Sequence, residues 1–291
     1  MKRLPSEPDY FKKIRIRRET IKRRRIYFII DCCFLAVILA FAGFLFISNS
    51  SFVNNIKLKF NGIECSVQSI DYDYGKGIYF ECGNENALID FGIQGHSDEL
   101  LGFVRSRGID KLDYLLVSDI SAEYTEILKE IINTVEITRI VIPKCDEEMY
   151  SFYDDFLFKN GKTLWTSEEI GYFSVDKLKF EVIDDETMSL RVVFGETSFL
   201  IYNLSDNNIE AEIINSRPRL DSDVLISLNA NLPSDKFIET VTPDFFVLNC
   251  NSYVDLPTVE KIADKCYSAD INGDITIISD EVDIKIKCEN N

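Results

Sequence analysis

Asp119 and Glu123 stand four residues apart in LDYLLVSDISAEYTE, residues 112 to 126, where an apolar run gives way to a polar loop that opens a helix. Residues four apart on a helix share one face, and carboxylates gathered on a face are ligands for hard cations. Joined by Asp90 and Asp206, they could form an all-oxygen site for calcium or magnesium. The plainer role is local: Ser121 caps the helix, and Glu123 and Glu126 in its first turn complement the macrodipole. The capping role is the expected one. The chain holds 49 Asp and Glu, only three of them before residue 27, so several near any one loop come by chance.

Imidazole is almost absent. His96, the one histidine, lies between Gly95 and Ser97 with no nucleophile motif beside it, and reads as a loop residue rather than a general base. Trp165, the one tryptophan, stands among Thr163, Thr166 and Ser167 and is either a binding aromatic or a partly packed one.

These residues need elements to hold them. Ile26 to Ser48 is an apolar run interrupted only by Asp31, long enough to cross a bilayer as a helix. Residues 1–26 carry eleven Lys and Arg against three acids, which predicts a cytoplasmic N-terminus. Ala40-Phe41-Ala42 has the form of a signal-peptide cleavage site, but Phe44-Leu45-Phe46-Ile47 extends the run beyond it, which favours an uncleaved anchor. The expected organisation is a basic cytoplasmic tail (1–25), a transmembrane helix (26–48), a linker (49–56) and an extracytoplasmic domain (57–291). The expected location is thus the plasma membrane, crossed once. Asp31 would face the interface or a partner helix, and Cys32 and Cys33 are packing residues or acylation sites.

Charge narrows the partners. The net charge is −17, and the basic tail leaves −25 on residues 27–291. Such a surface repels phosphate backbones, which argues against nucleic-acid binding by the outer domain. The six remaining cysteines, Cys65, Cys82, Cys145, Cys250, Cys266 and Cys288, form no C-x-x-C pair, so zinc-site spacing is absent. An exported domain could bridge them, and sequence leaves bridges and buried thiols both open.

Within the domain, residues 63–70, 77–82 and 86–90 read as an antiparallel meander. Ser97 caps a helix ended by Gly108, residues 112–117 form a buried strand, and Tyr124, Ile127, Leu128, Ile131 and Ile132 line one face of a second helix. A strand follows at 137–142. Further strands are expected at 178–183, 189–194, 198–203 and 223–228, with helices at 146–159, 207–215 and 257–265 and a closing hairpin around Asp280-Glu281. This order predicts a layered α/β (α+β) domain.

Several phrases, in order, resemble the metallo-β-lactamase-fold domain of ComEC-type competence proteins. Asp71-Tyr72-Asp73-Tyr74-Gly75-Lys76-Gly77 resembles D-V-G-Q-G-D-[AS], and Leu88-Ile89-Asp90-Phe91-Gly92 resembles L-I-D-x-G. Gly108-Ile109-Asp110-Lys111-Leu112 through Ser118 is similar to the segment that leads into H-x-H-x-D-H. Residues 198–206, 223–231 and 246–257 are similar to F-L-L-T-G-D-x-S, D-V-L-K-V-G-H-H-G and a phrase ending G-H-P. The resemblance spans residues 57–288 and implies an αββα four-layer sandwich.

It also implies a binuclear metal site, and the departures fall on the ligands. The two histidines match Asp119 and Ser121, the ligand aspartate Glu123, and the next histidine Tyr124. The bridging aspartate matches Leu204, the first histidine of H-H-G matches Asn229, and the G-H-P histidine matches Asp255 or Leu256. Such a site needs several imidazoles and carboxylates. The expectation is therefore a membrane-anchored pseudoenzyme without cofactor, meeting a protein partner at the former active-site face. The alternatives are a divalent-metal hydrolase, with phosphoesters as one substrate class, rebuilt on Asp90, Asp119, Glu123 and Asp206, or an accessory of a ComEC-like DNA-uptake machine.

Overall fold

The computed structural model describes residues 65–71, 76–91, 97–118, 120, 124–204, 206–217, 219–228, 232–249, 262–263 and 265–290. The tail, the apolar run 26–48 and the linker lie outside them, and among the described residues no helix is long and apolar enough to cross a membrane.

The meander forms as the alternation requires: β1 (Cys65–Asp71), β2 (Lys76–Cys82) and β3 (Glu85–Phe91) pair antiparallel in sequence order. β4 (Lys111–Val117), β5 (Glu136–Ile142) and β6 (Leu164–Thr166) then add in parallel. Parallel neighbours need crossovers. These are α1 (Ser97–Arg107), α2 (Tyr124–Thr134) and α3 (Glu147–Lys159). α3 starts where Asp146 accepts from Met149 N at 2.9 Å, with Glu147 and Glu148 in its first turn and Lys159 in its last.

The second half repeats the plan. A short helix α4 (Ser167–Ile170), closed by a Thr166–Glu169 capping box, leads into antiparallel β7 (Tyr172–Val175), β8 (Leu178–Asp184), β9 (Ser189–Phe194) and β10 (Thr197–Tyr202). α5 (Asn207–Ser216), β11 (Val224–Ser227), α6 (Asp235–Val241), β12 (Phe245–Leu248) and β13 (Lys265–Ser268) extend the sheet in parallel. After α7 (Ala269–Asn272), β14 (Ile275–Ser279) and β15 (Ile284–Cys288) return to the first sheet, where β14 pairs with β1.

The result is two mixed sheets, ordered β15-β14-β1-β2-β3-β4-β5-β6 and β13-β12-β11-β10-β9-β8-β7. One apolar layer lies between them, where Val67, Phe80 and Ile89 meet Phe180, Val192 and Phe199. A second packs α1–α3 on the first sheet through Leu100, Leu128 and Tyr153, and a third packs α5 and α6 on the second through Ile213 and Phe237. Every residue of β10 is buried because both faces of its sheet are covered. This is the αββα arrangement that the resemblance implies, with two mixed sheets.

The expected helix at 257–265 needs correction at its end, because Lys265 begins β13, a four-residue strand opposite Phe245; residues 257–261 and 264 lie outside the described residues. The sequence reading also passes over β6, β7, β12 and β13. Strands of three or four residues are too short to develop a periodic signature.

Candidate functional site

Register identifies one end of the sandwich as the place where chemistry can gather. Asp90 lies opposite Val117 in the parallel β3–β4 pair, so the carboxyl ends of these strands share an edge. Tyr202, Ser227 and Leu248 are aligned across β10, β11 and β12, which share another. Asn249, the residue after β12, joins the two: its Nδ2 donates to Gly77 O at 3.4 Å, and Gly77 is the cross-strand neighbour of Asp90. The carboxyl ends of the parallel strands in both sheets therefore converge. Ligands of open α/β sheets bind outside such ends.

The candidates from sequence distribute unevenly here. Asp90 lies in β3, and its side chain is outside the described residues, as are Asp119, Ser121, Glu123, Asn229, Asp255, Leu256 and His96. Tyr124 opens α2 and is 1% exposed, packed in the apolar layer beneath the helices. Leu204 follows β10 and is equally buried, in the layer under α5 and α6. Asp206 is exposed and caps α5, its Oδ1 accepting from Asn208 N at 2.8 Å and Asn208 Nδ2 at 3.0 Å. Trp165 sits on β6, the edge strand of the first sheet, and is 38% exposed.

Whether the residues fit a binuclear metal site is a question of donor chemistry. Leu204 has no donor atom, the Tyr124 ring is in the core, and Asp206 already serves as an N-cap. Among the described residues no three His, Cys, Asp or Glu are grouped to hold an ion. The described positions do not fit the group.

Other polar groups occupy this end instead, and most of them carry no local sequence signature. Ser69 Oγ, Gln68 Oε1 and Asn249 Oδ1 are buried without a hydrogen-bond partner. Ser69 is next to Ile70, which lies across from the same Gly77 that Asn249 contacts. Buried polar atoms are almost always paired by protein or water, so these three stand out from the rest of the core. Asn203 adds a rim: its N–H donates to Ser189 Oγ and its Nδ2 to Thr187 O, and Thr187 Oγ1 lies 2.6 Å from Asp184 Oδ2.

A buried carboxylate on α5 accepts from two other elements. Glu210 on α5 is 1% exposed and accepts from Tyr202 Oη at 2.5 Å and from Ser234 N at 3.2 and 3.3 Å. Burial first, then the hydrogen bond and charge of Glu210, push the Tyr202 phenol well above its ordinary range. Tyr202 ends β10 and Ser234 caps α6, so this one side chain ties the close of a strand to the start of a helix. In sequence the carboxylate falls at helical spacing beside Ile209 and Ile213, and nothing local marks it as buried.

No protein-family profile matches the chain, and no curated protein is similar to it in sequence. Among solved structures, the metallo-β-lactamase fold protein YhfI from Bacillus subtilis is 12% identical with a TM-score of 0.49, covering 70% of this chain and 95% of that one. A diphosphatase of the PhnP family is 11% identical with a TM-score of 0.46, covering 74% of this chain and 98% of that one. A metallo-β-lactamase of Cronobacter sakazakii is 10% identical with a TM-score of 0.39, covering 56% and 74%.

Proposed function

We propose that this chain is a membrane-anchored binding protein: a metallo-β-lactamase-like sandwich that holds a partner at the convergent strand ends and does not hydrolyse it. The apolar run 26–48 anchors it with the basic tail inside, and the acidic domain is displayed outside the cytoplasm.

Leu204 carries this reading. At the position matched to the bridging aspartate, an aliphatic side chain is turned into the apolar layer beneath α5 and α6. A carboxylate ligand cannot be replaced there by a neighbour without moving the end of β10, which is buried along its whole length. Ser69 and Asn249, both fully buried at the same end, bring no charge to a metal pair. A net charge of −25 on residues 27–291 suits a basic protein partner.

The test is the metal content of the full chain, purified in detergent and dialysed against trace divalent ions, read by inductively coupled plasma mass spectrometry. Absence of stoichiometric metal is the expected result. Stoichiometric metal that disappears in Asp119→Ala or Glu123→Ala would put the rebuilt carboxylate hydrolase in its place.

A further inference from the structure

Two cysteines far from the convergent strand ends stand directly against each other. The antiparallel β1–β2 register places Cys65 opposite Cys82. Both are fully buried, and both belong to the layer between the sheets, so their side chains leave the first sheet on the same face. Directly opposed residues of an antiparallel pair hold their Cβ atoms about 4.5–5.5 Å apart. A disulfide spans about 3.5–4.5 Å between Cβ atoms, so closing one needs an approach on the order of 1 Å.

No other described cysteines are so placed. Cys145 packs on the helix-covered face of the first sheet, and Cys266 lies on the outer side of the second, its Sγ 3.4 Å from Ala263 O. Cys288 faces the inter-sheet layer but pairs with Ile275, at the far end of β14 from the Ser279 that pairs with Cys65.

The surroundings seal the pair. The turn between β2 and β3 is held against the turn between β7 and β8, where Asp176 N donates to Glu85 Oε2 at 2.5 Å. Gly83 at φ +61 has the Asp176 carboxylate where a Cβ would stand. In the folded chain burial, then the neighbouring Cys82 and Glu81, push the Cys65 thiol up, which leaves little thiolate for exchange. Oxidation therefore belongs to folding, while the hairpin is assembling and the second sheet is not yet over it.

We propose that Cys65 and Cys82 form an intramolecular disulfide when the chain folds in contact with a low-molecular-weight disulfide such as oxidised glutathione. One thiolate attacks a glutathione sulfur, making a mixed disulfide and releasing one glutathione thiol. The second thiolate attacks the protein sulfur of that mixed disulfide and releases the other. Two protein thiols are oxidised, one glutathione disulfide is reduced to two thiols, and the protons end on glutathione. The closed bridge is then covered by the turn at Asp176 and resists reductants that cannot unfold the sandwich.

The full chain in detergent is refolded with oxidised and reduced glutathione, alkylated after denaturation, digested and mapped by mass spectrometry. The expected result is one peptide pair linked through Cys65 and Cys82, lighter by two hydrogens than its reduced counterpart, with two fewer alkylated thiols per chain. Recovery of Cys65 and Cys82 as separate alkylated peptides, or linked to other cysteines, overturns the proposal. The oxidised chain is also expected to melt higher than the reduced one, with no such difference in Cys65→Ser; equal melting of the two wild-type forms counts against it.

Discussion

Asn249, one residue past β12 of the second sheet, donates its side-chain amide to the carbonyl of Gly77 in β2 of the first, 172 positions earlier in the chain. It stitches the two sheets where the parallel strands of both end, while its own Oδ1 finds no partner. Asn249→Asp would bury a carboxylate beside that carbonyl. Loss of about 3 kcal/mol or more is expected, against about 1–2 kcal/mol for Asn249→Ala. Urea denaturation of the two variants measures the difference; equal losses would mean that the site is wetter than its burial implies.

Glu210 should behave as a shared acceptor. Glu210→Ala leaves the buried Tyr202 hydroxyl and the half-buried Ser234 N–H without their acceptor, at an expected cost of about 2–4 kcal/mol. Tyr202→Phe removes only one partner and should cost about 1 kcal/mol. In a double-mutant cycle the two changes should fall well short of additive, because the second finds the bond already gone.

Alkaline pH should expose the buried phenols. Tyr202 and Tyr79 are both raised above their ordinary value, chiefly by burial, so the fold favours their protonated forms. Their contribution is intact below the unfolded value, near pH 10, and is lost as pH rises above it, because the unfolded chain then releases protons that the fold retains. Stability should fall above about pH 10 by up to ~1.4 kcal/mol per pH unit for each such group, and Tyr202→Phe should flatten that fall. In the reduced chain Cys65 should begin the decline nearer its ordinary thiol range, about pH 8.5. Denaturation midpoints taken across pH 8 to 12 (roughly the range where these groups titrate) decide this.

Gly195 makes the opposite end of the sandwich sensitive to a single methyl. It has φ +60, and a Cβ there would lie 2.5 Å from Glu281 Cβ and 2.6 Å from Glu281 O. The turn between β9 and β10 is also joined to Glu281 by Glu196 N, at 2.7 Å from its carbonyl. Gly195→Ala should cost about 2 kcal/mol or more, combining left-handed strain with a backbone clash. Binding at the convergent strand ends should be unaffected in the fraction that remains folded; a binding defect without loss of stability would show that the two ends communicate.

Much of the architecture is written locally. Alternation in 77–82 and 86–90, continuous apolar runs at 112–117 and 198–203, and the helical spacing of Leu128 and Ile131 each state which faces must be covered, because burial follows the period of the backbone. Two well-separated sets of such elements, each opening with antiparallel strands and followed by strand-helix units, already demand layers. The replaced positions at Tyr124 and Leu204 were also legible in the sequence, as were the single histidine and the acidic surface. Tertiary structure alone decided which residues meet. Asn249 reaching Gly77, Tyr202 and Ser234 sharing Glu210, and Cys65 standing against Cys82 all depend on register and on crossovers between sheets. A periodic pattern records the face a side chain takes and carries no information about the partner it finds there, since shifting a strand by two residues preserves every face and changes every neighbour.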